Sequence, residues 1–273
     1  MSGDSLWIDG RDRYCGCYIR LIRIDKARQM KWKLKELEDA VRKAHGDKYA
    51  DAIQDPSQSF VWKSEMAHYH ACEAESLIKQ AFAVIPEIDE DDSPSIAASK
   101  AVLTAAATGD DGLNMRVAKF KAEAHIIASA QALHSLCDIV CQIVYWAYRL
   151  DTVACVPKPN KLNLHSLCVA LESLPHYATT CARINQVIDS PEFIYLRAYV
   201  NTTKHKSLVA STLSAVFTED RGGIRFQAFT YTDPRGNTTS FDRKWATDFV
   251  LPENNLVREK LMAVGSSLND YFA

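Results

Sequence analysis

The sequence predicts a mainly α-helical protein: a helical bundle, then a small antiparallel sheet and a last helix. Segments with apolar residues at helical spacing fill the first two-thirds of the 273 residues. Past residue 210 the composition changes to β-branched and aromatic residues between turn sequences. The chain is 47% apolar and 24% charged, with a net charge of −2, which is typical of a globular protein. A chain so near neutrality lacks the field for indiscriminate polyanion binding.

The first helices are predicted from their apolar spacing and their stop signals. They span residues 20–44, 59–83 and 96–107. The first combines apolar positions with a basic run over residues 20–35, and it ends at Gly46. The basic run is either a solvent-exposed helix face or an RNA contact. The second ends near Pro86. The third is alanine-rich, follows a Ser93-Pro94 start and closes at residues 109–112.

A long helix at 113–150 is the central predicted element. Between Glu123 and Arg149 its only charged side chain is Asp138, so its length and composition would allow it to cross a bilayer. Polar residues nevertheless recur every three or four positions, on an arc of roughly 100°. They are Gln131, His134, Ser135, Asp138 and Gln142. Lipid would make this arc costly, so we predict a helix of a soluble bundle and no membrane partner.

Three shorter helices follow a linker at residues 157–160. They are predicted at 162–174, 175–188 and 190–209. The last has the clearest start, because Ser190 supplies a hydroxyl N-cap, Pro191 fits the first turn and Glu192 places a carboxylate near the positive end of the helix dipole.

The C-terminal part is predicted to be a three-stranded antiparallel β-meander with a covering helix. The strands span residues 211–218, 224–232 and 238–242, and the helix spans 252–272. Such a small sheet requires a helix against its apolar face. We therefore divide the chain into a helical layer of unknown role at 1–112, a bundle core at 113–210 and the meander with its helix at 211–273.

The helix predicted at 190–209 gathers chemically useful side chains. Arg197, Asn201, Lys204 and His205 fall on one arc of about 100°. A guanidinium and an ammonium bind phosphate, an amide orients it, and an imidazole moves a proton near neutral pH. The alternative is a solvated helix end, where Lys and His are favoured by the helix dipole.

The bundle core resembles the HEPN superfamily over residues 113–210. The resemblance lies in Ala-Leu-His-Ser-Leu-Cys-Asp ending at Asp138, the Pro-Lys-Pro-Asn break at 157–160, and Tyr-Leu-Arg-Ala-Tyr-Val-Asn-Thr-Thr-Lys-His-Lys at 195–206. Members carry an Arg-x4–6-His signature on a late helix, often with Asn after the Arg. The resemblance implies an up-and-down bundle, frequently a homodimer. In active members it implies a metal-independent endoribonuclease whose shared cleft is lined by His and Arg of both subunits.

The family signature maps onto this chain with one departure. His205 matches the family His and Asn201 matches the polar residue after the Arg. The Arg position itself is Val200, and the nearest arginine, Arg197, has seven residues between it and His205. The resemblance thus implies a catalytic set of His205, Arg197 and Asn201, in which His205 activates a ribose 2′-hydroxyl.

A second set of residues is predicted to bind the substrate. It consists of Lys204, Asp138 and His134. We hypothesise that the arc with His134 and Asp138 faces the arc with Lys204 across the bundle and forms a polar cleft, because a carboxylate in an apolar helix needs a partner. The alternative places Asp138 at an exposed edge of the bundle.

No metal or other cofactor is predicted, and the cysteines are expected to be free thiols. The eight cysteines are scattered, and a disulfide framework would be denser. The groups Cys15-Gly-Cys17 and His68-Tyr-His70-Ala-Cys72 match no zinc spacing, while Cys137 and Cys141 are typical core residues. A reducing cytoplasm fits free thiols, and the N-terminus shows no secretory pattern.

Two functions therefore fit the sequence. The first is a HEPN-like RNA-binding protein or endoribonuclease of a bacterial defence or toxin–antitoxin system, with an antitoxin or another protein as partner. The alternative is a non-catalytic helical scaffold that dimerises or holds a protein partner.

Overall fold

The computed structural model describes residues 32–273 except 84–88, 90, 107–108, 155 and 234. Cys15, Cys17 and the part of the first predicted helix and basic run before residue 32 lie outside the described residues. The predicted mainly α-helical class, with small antiparallel sheets and a C-terminal helix, is confirmed. The helices are α1 (Leu34–His45), α2 (Asp47–Ala83), α3 (Pro94–Ala106), α4 (Asp110–Ala147), α5 (Leu164–Glu172), α6 (Ala178–Ile188), α7 (Pro191–His205) and α8 (Asn254–Phe272).

The central helix α4 forms the middle of the core. It packs along α2 and also contacts α5, α7 and α8. Leu136, Val140 and Ile143 on α4 have no exposed surface. Its length and composition would allow it to span a membrane, but 56% of its most apolar window is buried inside the protein. Such burial is typical of a core helix, in agreement with the prediction of a bundle.

Helix α2 begins earlier than its sequence pattern predicts. The predicted start is residue 59, whereas the helix begins at Asp47, directly after Gly46 with φ of 87°, and continues through Pro56. Ala50 and Ile53 are fully buried, so tertiary packing holds these additional twelve residues, about three turns, in place despite the proline.

The predicted meander is corrected in its strand pairing. β1 (Ser211–Val216) pairs antiparallel with β2 (Arg221–Phe226), and the short β5 (Lys244–Trp245) pairs with the other edge of β2. β3 (Phe229–Thr232) and β4 (Thr238–Phe241) form a separate two-stranded sheet. The strand predicted at 224–232 is therefore broken at 227–228, between β2, which pairs with β1 and β5, and β3, which pairs with β4.

Aromatic packing attaches both sheets to α7. Tyr195 contacts Phe229, Phe241 and Phe249, with ring centroids 5.0–5.6 Å apart. Tyr199 packs on Phe226 at 5.1 Å. Because these rings are large and mostly buried, they fix the β3–β4 hairpin against the helix that carries the predicted cationic side chains.

Candidate functional site

Helix α7 positions the predicted cationic side chains, and its start agrees with the sequence. The Ser190 hydroxyl accepts a hydrogen bond from the Phe193 N–H at 3.4 Å, Pro191 occupies the first turn and Glu192 lies in it. The helix ends at His205, four residues before the predicted end, and the Lys206 N–H donates to the Thr202 carbonyl. Lys204 and His205 therefore lie in the last turn, where positive charge is favoured.

The four predicted residues of α7 differ in exposure. Arg197 and Asn201 are partly buried, whereas Lys204 and His205 are exposed. The Asn201 side-chain amide donates to the Tyr231 hydroxyl of β3 at 3.4 Å. Within the predicted cationic arc, only Arg197 and Asn201 are therefore packed against neighbouring residues.

The predicted polar arc of α4 lies next to α7, and His134 is the residue of this arc with the clearest contact to α7. The His134 ring stacks on Phe193, with centroids 6.4 Å apart and planes 10° apart. Burial, together with the smaller effect of the positive charges of Lys204 and Arg197, lowers the pKa of His134 to about 4. The structure therefore places His134 within range of the positive charges of Arg197 and Lys204.

Asp138 is also within range of the positive charge of Lys204. Its side chain is exposed, in agreement with the alternative of a bundle-edge position. Desolvation by its neighbours nevertheless raises the pKa of Asp138, and the charge of Lys204 offsets part of that rise. We refer to His134, Asp138, Arg197, Asn201 and Lys204 as the polar patch.

The polar patch leaves one strong donor without a partner. The Nε atom of Arg197 is buried and has no hydrogen-bond partner. A buried unsatisfied donor costs about 1–3 kcal/mol, and an oxygen of an anionic ligand would remove that cost. The patch is suited to an anion for this reason.

His205 lies apart from the rest of the predicted catalytic set. It is exposed, and its side chain has no hydrogen bond or ion pair among the residues that the structure describes. It lies eight positions after Arg197 in α7, which corresponds to about 12 Å along the helix axis. The two residues therefore lie about two turns apart on α7.

The β3–β4 hairpin adds residues that the sequence did not indicate. Hydrogen bonds from Asn237 and Arg235 lower the pKa of Asp233, and the charge of Arg197 contributes to the same effect. The Arg235 guanidinium contacts His165 near the start of α5. The segment 233–237 reads only as a turn in sequence, and no local signal reveals which helices it approaches.

The other cysteine and histidine groups have structural surroundings. Cys137 and Cys141 are buried in the core, as predicted. His68 lies 3.6 Å from the Cys72 sulfur, and His70 contacts His125 of α4 at 2.9 Å between their Nδ1 atoms. The first contact lies within α2, and the second links α2 to α4. None of these residues belongs to the polar patch.

The chain matches no protein-family model, and comparisons with curated proteins and with solved structures gave no match. The class that the fold and the site define is a helical bundle with an anion-suited polar patch on two adjacent helices.

Replacing His134 by glutamine is expected to make stability less sensitive to acid. The unfolded chain takes up a proton at this residue near pH 6.5, whereas the folded chain does so only near pH 4. Protonation in this window therefore favours unfolding, and wild type should lose about 2 kcal/mol more than H134Q between pH 7 and 4.5. Urea unfolding at a series of pH values measures the difference. H176Q, at an exposed histidine, should follow wild type, and parallel curves for H134Q and wild type would contradict the assignment.

Proposed function

We propose that this chain is a HEPN-like RNA-binding protein that holds the RNA backbone at the polar patch. The observation that supports this proposal is the placement of Arg197 and Lys204 beside His134, with a buried Arg197 nitrogen that lacks a partner. Guanidinium groups bind phosphate oxygens through a planar fork of donors, and lysine adds a point charge. Such contacts position RNA without reading its sequence.

We further propose that cleavage, where it occurs, requires two copies of the chain. A base takes the proton of a ribose 2′-hydroxyl, the 2′-oxygen attacks the adjacent phosphorus, and the bond to the 5′-oxygen breaks as that oxygen receives a proton from water. The products are a 2′,3′-cyclic phosphate and a 5′-hydroxyl. His205 of one protomer acts as the base on RNA held by Arg197 of its partner, since one helix separates these residues by about 12 Å. The low pKa of His134 makes it a weak base, so its role is to shape the patch.

The cellular setting belongs to the same proposal. A metal-independent endoribonuclease of this kind would act in the cytoplasm of a bacterium, as a toxin or defence protein restrained by a protein partner. The buried cysteines Cys137, Cys141, Cys168 and Cys181 are free thiols, which is compatible with a reducing compartment.

The proposal is tested by RNA binding in the presence of EDTA. Fluorescence anisotropy with labelled single-stranded RNA measures affinity for wild type, R197A, K204A and the control K43A, which removes an exposed lysine on α1. We expect R197A and K204A each to weaken binding about tenfold, which corresponds to about 1.4 kcal/mol, and K43A to bind as wild type. Wild type that does not bind RNA, or patch variants that bind as K43A does, would contradict the proposal.

Cleavage is read separately from binding. Wild type should convert the RNA to fragments with cyclic phosphate ends in EDTA, and H205A should abolish these ends while it retains RNA affinity. Binding without cleavage by wild type would support a binding protein and exclude the endoribonuclease.

A second candidate, a dimerisation or protein-interaction scaffold, is favoured by exposed apolar side chains. On α4 these are Leu113, Val117 and Phe120, and on α2 they are Trp62, Met66 and Tyr69. Each set follows one helix face, and Tyr69 links the two helices through His125, with ring centroids 6.4 Å apart. We refer to these six residues as the apolar rows. Trp62 and Phe120 are 65% and 71% exposed, and apolar surface of this kind marks interaction sites.

A further inference from the structure

Helices α5 and α6 form a hairpin, and each contributes a cysteine to its inner side. Only a short turn at Pro175–Tyr177 and its flanking residues joins the two helices. The sulfurs of Cys168 and Cys181 lie 2.9 Å apart, and the two residues are 2% and 6% exposed. Both are free thiols. The sequence gives no hint of this pair, because twelve residues separate the cysteines and neither has a second cysteine nearby.

Oxygen donors lie beside the two sulfurs. A carboxylate oxygen of Glu172 and the sulfurs of Cys168 and Cys181 all lie within 4.8 Å of one another. The amide oxygen of Asn185 is 3.1 Å from the Cys168 sulfur. Cys168 and Glu172 are four residues apart on α5, as are Cys181 and Asn185 on α6, so each pair shares a helix face. Two sulfurs and two oxygens therefore converge from two helices.

We propose that Cys168, Cys181 and Glu172 bind a Zn²⁺ ion that links α5 to α6. Zn²⁺ favours four ligands in a tetrahedron and binds thiolate sulfur at about 2.3 Å. Two thiolates at this distance are roughly 3.8 Å apart, so the sulfurs separate by about 0.9 Å, a shift that rotation of the cysteine side chains supplies. The Asn185 oxygen or a water is the fourth ligand. On binding, the ion replaces the two thiol protons, which pass to solvent.

The surroundings favour a metal ion over a disulfide between the same sulfurs. Disulfide exchange needs an accessible thiolate, and both thiols are buried. The exposed Glu172 carboxylate, by contrast, gives a cation both a ligand and a route of entry from solvent. The site lies on α5 and α6, and it takes no residue from the polar patch.

Cobalt binding to the full chain tests the site. The reduced protein, freed of metal by a chelator, is titrated with Co²⁺, whose bonds to thiolate sulfur give a charge-transfer absorption band. We expect one Co²⁺ per chain and its displacement by Zn²⁺. C168S and C181S should each abolish the band, while E172Q, which changes an exposed side chain, should keep the band and weaken Co²⁺ binding about tenfold. C137S, which removes a buried thiol of α4, should behave as wild type.

Further variants exclude other ligands in the chain. A C15S/C17S variant should keep the band, because those cysteines are not part of the proposed site. Circular dichroism at the helical minimum confirms that each variant is folded. The proposal is overturned by a wild type without the band, by its loss in C15S/C17S, by unchanged Co²⁺ affinity in E172Q, or by mass spectrometry that finds a Cys168–Cys181 disulfide and no metal in the protein as purified.

Discussion

Replacing Gly265 by alanine is expected to lower the free energy of unfolding by about 2–3 kcal/mol. A Cβ atom at this position of α8 would overlap the six-membered ring of Trp32, which is buried. Trp32 has little room to move, because its ring packs on Phe60 with centroids 4.9 Å apart and the Asn269 amide holds the Lys33 carbonyl at 3.1 Å. At a helix position without such a contact, alanine would instead stabilise the protein by up to about 1 kcal/mol relative to glycine. The sign of the change in unfolding free energy therefore shows whether residue 265 contacts the Trp32 ring.

Chemical denaturation measures this effect, and a second substitution tests its cause. Leucine at Trp32 removes ring volume, so W32L and G265A should compensate each other, with a coupling energy of about 1–2 kcal/mol in the double variant. S266A, at the neighbouring position of α8, should change stability by less than about 0.5 kcal/mol. A G265A protein as stable as wild type would show that the glycine is not needed for the approach of Trp32.

The fold class was predictable because α4 and α7 carry strong local signals. The spacing of apolar residues around Leu136 and the Ser190 cap are properties of short segments, and both predictions agree with the structure. The strand break at 227–228 was missed because it depends on the pairing partners of the two halves, β1 and β5 for β2 but β4 for β3. The start of α2 was missed because burial of Ile53, and not propensity, holds a helix that contains proline.

The candidate site was predictable only as two separate helix faces. Periodicity placed Arg197 and Lys204 on one face and His134 and Asp138 on another, and the structure brings these residues together. Periodicity did not show that Asp138 is exposed or that His205 ends α7. The hairpin residues Tyr231, Asp233 and Arg235 and the Cys168–Cys181 pair depend on tertiary packing between distant segments, which one sequence does not encode in a local pattern.

The apolar and polar faces of α4 are related by helix geometry. Phe120 and Asp138 are eighteen residues apart, which is five turns at about 100° per residue, so they share one side of the helix about 27 Å apart. A copy of the chain that covers Leu113, Val117 and Phe120 is thereby brought alongside the same face that carries the polar patch. This arrangement connects the two candidate functions, because the proposed cleavage needs His205 from a second protomer.

Replacing Phe120 by glutamate is therefore expected to remove both the dimer and RNA cleavage. Burial of a carboxylate in an apolar contact costs several kcal/mol, so the dimer dissociation constant should rise by about 100-fold or more. Phe120 is 71% exposed, so the protomer itself should remain folded. Sedimentation velocity measures the association, and the RNA assay in EDTA measures cleavage at the same protein concentrations. Binding of RNA to single protomers should persist in F120E, because Arg197 and Lys204 are unchanged.

The matched control is F217E, which alters a phenylalanine of similar exposure, 66%, in the turn between β1 and β2. It should associate and cleave as wild type does. Because cleavage in trans requires a dimer, activity per protomer should also fall as wild type is diluted below its dissociation constant, whereas a catalytic site within one protomer would give a constant value. A monomeric F120E protein that cleaves RNA at the wild-type rate would show that cleavage does not require the apolar rows. His205 would then have to act on RNA that is bound by Arg197 of the same protomer.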